Sequence, residues 1–131
     1  KAIEIAEARR EDFFNHTKNL TEKFIDLINK KIPDIVLHSS IHGLSNIVNF
    51  SIPNIQGEPI LIGLDFKGIM ASSGSACSTA SVEPSHVLLA KGVDEKLALG
   101  SVRLSFSISN TLKEIDYIVE SIYEVCEDLK N

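Results

Sequence analysis

The sequence predicts an α+β fold, a small sheet with helices packed on one face, and three observations predict it. Long amphipathic segments stand near the two ends of the chain. Between them, residues 46–52 and 101–107 alternate apolar with polar side chains, the pattern of half-buried strands. Strand and helix patterns do not alternate regularly, which argues against a parallel α/β sheet. The other face of the sheet is then left for a partner.

The first helix is expected over residues 2–31, with Phe13, Leu20, Phe24, Leu27 and Ile28 on one stripe at three- and four-residue spacing. Lys30 and Lys31 suit its C-terminal end, and Pro33 stops it. A short segment near Val36 precedes the first strand, where Val48, Phe50 and Ile52 alternate with polar residues. Residues 57–67, with Pro59 early and apolar residues after it, read as a short helix ended by Gly68. Ile69, Met70 and Ala71 read as a brief strand. Residues 72–81 hold no charge and no large side chain, so they have little to bury and read as a mobile loop.

Residues 84–91 and 94–99 read as short helices, the first with Gly92 just past its end. In the second strand Val102, Leu104 and Phe106 face the core, so Arg103 projects from the polar face. Thr111 and Glu114 form a capping-box pattern that opens a last helix. Its stripe runs through Leu112, Ile115, Val119, Ile122, Cys126 and Leu129.

A chain of 131 residues with 44% hydrophobic residues suffices for one core, and residues 1–131 are expected to form a single domain. A net charge of -5 with scattered lysines gives no electrostatic footprint for DNA or an anionic membrane. No apolar run approaches the roughly 20 residues of a membrane span, and the charged start lacks a signal-peptide core. A cytoplasmic domain is expected. The chain starts at Lys1 without methionine and already looks helical with no capping residue ahead, as if excised from something longer.

Two cysteines make no disulfide framework and form no Cys-x-x-Cys pair. Cys126 lies on the apolar stripe of the last helix, where a thiol acts as a small inert hydrophobe. Cys77 stands among small polar residues with no evident packing role. That placement alone leaves a catalytic and a passive thiol both open. His16, His38 and His42 show no metal-ligand spacing with either cysteine, so no metal is expected.

The run Ser72-Ser73-Gly74-Ser75-Ala76-Cys77, followed by Glu83-Pro84-Ser85-His86-Val87-Leu88, resembles a known motif pair. It is similar to the sulfur-acceptor loop and following helix of cysteine desulfurases of the nitrogen-fixation and iron–sulfur-cluster type, in the class V aminotransferase family. The resemblance extends from the opening helix through residues 46–51 and Gly57-Glu58 to Arg103-Leu-Ser and Glu114-Ile-Asp116. It implies that residues 1–131 are the C-terminal small domain of a longer fold-type-I enzyme dependent on pyridoxal phosphate (PLP), with a sulfur-acceptor loop over 72–82. The family's Schiff-base lysine stands in a Ser-x-His-Lys context that no lysine here shares. The large domain of the parent is therefore expected to bind PLP, and this fragment to be inactive alone.

The resemblance implies that sulfur from L-cysteine passes to Cys77 as a persulfide, alanine leaves, and the persulfide sulfur goes on to an acceptor or iron–sulfur scaffold protein. Arg103 matches the arginine that clamps the substrate carboxylate, a task suited to a planar bidentate fork. Asn46 matches an asparagine near the active site, although it also suits a turn before the strand. The helix start near Pro84 and the His86 side chain are possible influences on the Cys77 thiol; His86 also suits a plain surface position. A homodimeric parent is implied by the family alone.

Two departures from the pattern stand at Ser45, where many relatives carry proline, and at Ser107-Ile108, where they carry glycine and a basic residue. Competing readings are a cysteine hydrolase, for which no partnered base is recognisable, a persulfide-carrying module without chemistry of its own, and a selenocysteine lyase-like relative.

Overall fold

The computed structural model describes residues 1–40, 42–73 and 83–130. Helix α1 (Ala2–Ala8) leads into α2 (Arg10–Lys31), followed by β1 (Val36–Leu37), β2 (Ile47–Ser51) and α3 (Gly57–Phe66). Strand β3 (Ser72–Ser73), helices α4 (His86–Ala90) and α5 (Glu95–Leu99), strand β4 (Ser101–Ser105) and helix α6 (Leu112–Lys130) complete the order. The sheet runs β1-β2-β4-β3 with every neighbour antiparallel.

Alternation on β2 and β4 decides which face is covered. Val48 and Phe50 lie across from Leu104 and Val102, and all four are buried with Phe106. Leu20, Phe24 and Ile28 of α2, Ile60 and Leu64 of α3, and Ile115, Val119, Ile122 and Cys126 of α6 join them in one core. Phe24 sits between Phe50 and Phe106, with ring centroids 6.0 Å from each and planes tilted, the offset geometry aromatic quadrupoles favour. The α+β arrangement with the long helices on one face is the architecture the sequence predicts. Close packing of α3 on α6 depends on Gly63, where an added Cβ would lie 2.6 Å from Val125 Cγ1.

The ends of the elements follow their capping chemistry. Glu11 and Asp12 occupy the first turn of α2 and Lys30 and Lys31 the last, matching the helix dipole. The capping box opening α6 is present: Glu114 Oε2 accepts the Thr111 N–H at 2.5 Å, and Thr111 Oγ1 accepts that of Glu114 at 3.3 Å. Asp94 caps α5 through the Lys96 N–H. Gly68, at φ 73°, takes the left-handed turn after α3 that other residues resist.

Local expectation and structure part in three places. The single helix expected over residues 2–31 breaks at Arg9 (φ -105°, ψ 2°), and none of α1 is buried, so no packing holds the two pieces in line. The brief strand expected over residues 69–71 falls instead at Ser72 and Ser73, which pair with Arg103 and Val102. The expected loop over 72–81 therefore begins with two residues of sheet. Its remainder, and Cys77 with it, lies outside the described residues.

Candidate active site

The face of the sheet turned from α2, α3 and α6 carries the polar phase of the alternation. Register places Ser72, Arg103 and Asn49 in one row across β3, β4 and β2, with Ser101 and Ser51 in the next row but one along the strands. Arg103 is exposed, as expected for its place on the polar face. Among the described residues it has no ion pair. The carboxylates Asp116, Glu120, Glu124 and Glu127 are matched instead to Lys23, Lys31, Lys67 and Lys130. The guanidinium is therefore available to an incoming anion.

Arg103 lines a pocket of about 400 Å³ with Asn49, His38, Ser39, Ser85 and Lys91 among its walls. Among the described residues two cations and no carboxylate line it, which disposes it toward a small anionic ligand. A larger cleft of about 870 Å³ lies between the C-terminal ends of α2 and α6. Its Lys31 is paired with Glu120 and its Lys130 with Glu127, leaving no such bias. Its thiol, Cys126, is 1% exposed, and burial pushes its pKa up to about 11, so it stays protonated at neutral pH. Cys126 is thus a packing residue, as its place on the helix stripe predicts.

The edge of the pocket is organised by His38, buried at the end of β1. Ser51 Oγ donates its one proton to the Leu97 carbonyl at 2.6 Å, so the 2.7 Å contact between Ser51 and His38 requires His38 Nε2 to carry a proton. Lys91 Nζ donates to the His38 carbonyl at 2.6 Å. These bonds tie α5 and the end of α4 to the sheet's polar face. Burial, then the Lys91 charge, lowers the His38 pKa from its ordinary value.

The unfolded chain therefore takes up a proton on His38 at higher pH than the folded chain does. Stability owed to neutral His38 is intact above the unfolded pKa, near 6.5, and is lost as pH falls through the folded one. Urea midpoints measured between about pH 8 and pH 5 should fall with pH. His38→Gln, which keeps a donor for Ser51, should flatten that slope; an unchanged slope would contradict the assignment.

The other residues singled out in the sequence fall as follows. Asn46 lies in the turn before β2, where its carbonyl accepts the Phe106 N–H at 2.7 Å and its Nδ2 donates to the Phe106 carbonyl at 3.4 Å. It closes the β2–β4 ladder, and the lining of the Arg103 pocket runs through Ile47 and Asn49 without it. Ser45 uses its hydroxyl and carbonyl to bond Thr17 and Thr21 of α2. His86 is the exposed first residue of the five-residue α4, too short to develop much dipole. His16 bonds the Asn110 carbonyl at 2.8 Å. Sequence reasoning did not single out Asn49, Ser51 or Lys91. Their relation to Arg103 and His38 is fixed by register and loop packing, and alternation alone marked Asn49 only as polar.

A profile of the family described as aminotransferase class-V matches residues 1–118. The relative named cysteine desulfurase IscS from Clostridium botulinum is 41% identical over 128 residues, covering 95% of this chain and 32% of its own length. A mitosomal cysteine desulfurase from Encephalitozoon cuniculi is 38% identical over 130 residues, covering 99% and 30%. The solved structure of a NifS-like protein superposes with a TM-score of 0.82 at 28% identity, covering 96% of this chain and 31% of that one. The chain spans about a third of the length of the curated relatives it matches.

Proposed function

This chain belongs to the aminotransferase class-V family, and from that premise we propose that it is the C-terminal domain of a cysteine desulfurase, with Cys77 the sulfur acceptor and Arg103 the substrate-carboxylate clamp. The observation that carries the reading is Arg103 itself. It is an exposed guanidinium without a carboxylate partner among the described residues, on a pocket lined by a second cation, within a sequence 41% identical to a named cysteine desulfurase. Asn46 sits one residue ahead of the strand that forms the pocket wall and supports it through the Phe106 pair.

In the proposed reaction the Cys77 thiolate bonds to the sulfur of L-cysteine and the substrate's carbon–sulfur bond breaks. The electron pair of that bond stays on carbon, which takes a proton and becomes the methyl group of alanine. Both sulfurs remain on the enzyme as a persulfide, so carbon is reduced, sulfur is oxidised, and no outside oxidant is consumed. The persulfide sulfur then passes to an acceptor thiol, such as that of an iron–sulfur scaffold protein.

The family uses pyridoxal phosphate, which supplies an electron sink. No lysine of this chain stands in the Ser-x-His-Lys context of the family's Schiff-base lysine, so the described residues do not fit the role of anchoring it. Lys91, which lines the Arg103 pocket, donates to a backbone carbonyl. We assign the cofactor to the remainder of the polypeptide, which we take to be a homodimer. Among the described residues no helix is long and apolar enough to cross a membrane. Persulfide chemistry asks for a reducing compartment, and we propose the cytoplasm.

The test is product analysis with the full-length protein and pyridoxal phosphate. L-Cysteine should yield alanine and enzyme-bound sulfur in equal amounts. Amino-group transfer to a keto acid with no sulfur released would place the protein elsewhere in the family.

A further inference from the structure

Asn49 Oδ1 is a buried side-chain oxygen without a hydrogen-bond donor among the described residues. Its main chain is engaged: the N–H donates to Ser39 Oγ at 2.8 Å, and the carbonyl accepts the His38 N–H at 2.8 Å. An acceptor left unpaired away from water is costly, so such an atom calls for a donor that arrives in another state of the molecule. Directly across the β2–β4 ladder, on the same face, stands Arg103. Cross-strand neighbours hold their Cβ atoms about 5 Å apart, well within the reach of a guanidinium, and both residues line the same pocket.

We propose that Asn49 is a positioning residue for Arg103: Oδ1 accepts one guanidinium N–H while two others fork onto the substrate carboxylate. The inference rests on the reading of Arg103 given above. A guanidinium carries five N–H groups and a bidentate carboxylate takes two, so a donor remains for Asn49. The Asn49 bond fixes the plane of the fork, which otherwise turns freely at the end of a long exposed side chain. Asn49 makes no bond that changes during sulfur transfer, so its contribution is to binding.

The test is steady-state alanine formation by the full-length holoenzyme carrying Asn49→Leu, which keeps the volume and removes the acceptor. KM for L-cysteine should rise about tenfold, the worth of one hydrogen bond to a charged group, with kcat within about twofold. In an Arg103→Ala background the same substitution should add nothing, since the two residues act as one unit. If leucine disturbs folding, Asn49→Ala adds no bulk and carries the same expectation. An unchanged KM, or an equal loss in both backgrounds, overturns the role of Asn49 and leaves the clamp standing. If Arg103→Ala itself leaves KM unchanged, the clamp falls and this inference with it.

Discussion

Cys77→Ser in the full-length enzyme should lower alanine formation from L-cysteine by at least about a thousandfold, the scale on which removal of a covalent nucleophile is felt. A serine hydroxyl is almost wholly protonated at neutral pH and does not accept sulfur as a thiolate does. Binding of L-cysteine, read from the cofactor's absorption, should survive because the Arg103 pocket is untouched. Cys126→Ser supplies the contrast. Cys126 is 1% exposed and holds its proton up to about pH 11, so its replacement should act on stability alone. A Cys77→Ser enzyme that still makes alanine at the original rate would remove Cys77 from the chemistry.

Arg103→Ala should reduce kcat/KM for L-cysteine about a hundredfold, mostly through KM, since a charge-assisted bidentate pair is worth about 3 kcal/mol when truncated on one side. Arg103→Lys should recover about tenfold of that, because it restores the charge without the planar fork. Folding should be little affected: the Arg103 side chain is exposed and has no ion pair among the described residues. A decarboxylated substrate analogue should bind equally well to both enzymes. If Arg103→Ala weakens the analogue as much as L-cysteine, the arginine acts on something other than the carboxylate.

Elements whose local pattern and tertiary environment agree were legible in the sequence. Helix α6 announces itself through the Thr111–Glu114 box and an apolar stripe in which Ile115, Val119, Ile122 and Cys126 are indeed buried. Leu112 and Leu129 at its ends remain exposed, because the core reaches only its middle turns. Strands β2 and β4 were readable from alternation. Strand β3 was not: Ser72 and Ser73 have little intrinsic preference for a strand, and the open edge of β4 at Val102 and Arg103 imposes it. The break at Arg9 left no glycine or proline to mark it.

The site divides the same way. Arg103 was readable because one strand suffices to give the direction of its side chain. Asn49 required the β2–β4 register, a long-range property no local pattern carries. His38 required the bond to Ser51 and the Lys91 contact, which join β1, β2 and the region of α4. Ser51 reads as the solvent-facing phase of its strand, yet it is fully buried because α5 lies over it and accepts its hydroxyl proton. Cys77 rests on the sequence motif, its position lying outside the described residues.

The most direct measurement is the mass of the Cys77 peptide after a single turnover of the full-length holoenzyme with L-cysteine, quenched with an alkylating reagent that caps persulfides. The account predicts that this peptide gains the mass of one sulfur atom, in an amount equal to the alanine formed, while the Cys126 peptide gains none. Alanine formed without added sulfur on Cys77, or sulfur found on Cys126 instead, would contradict it.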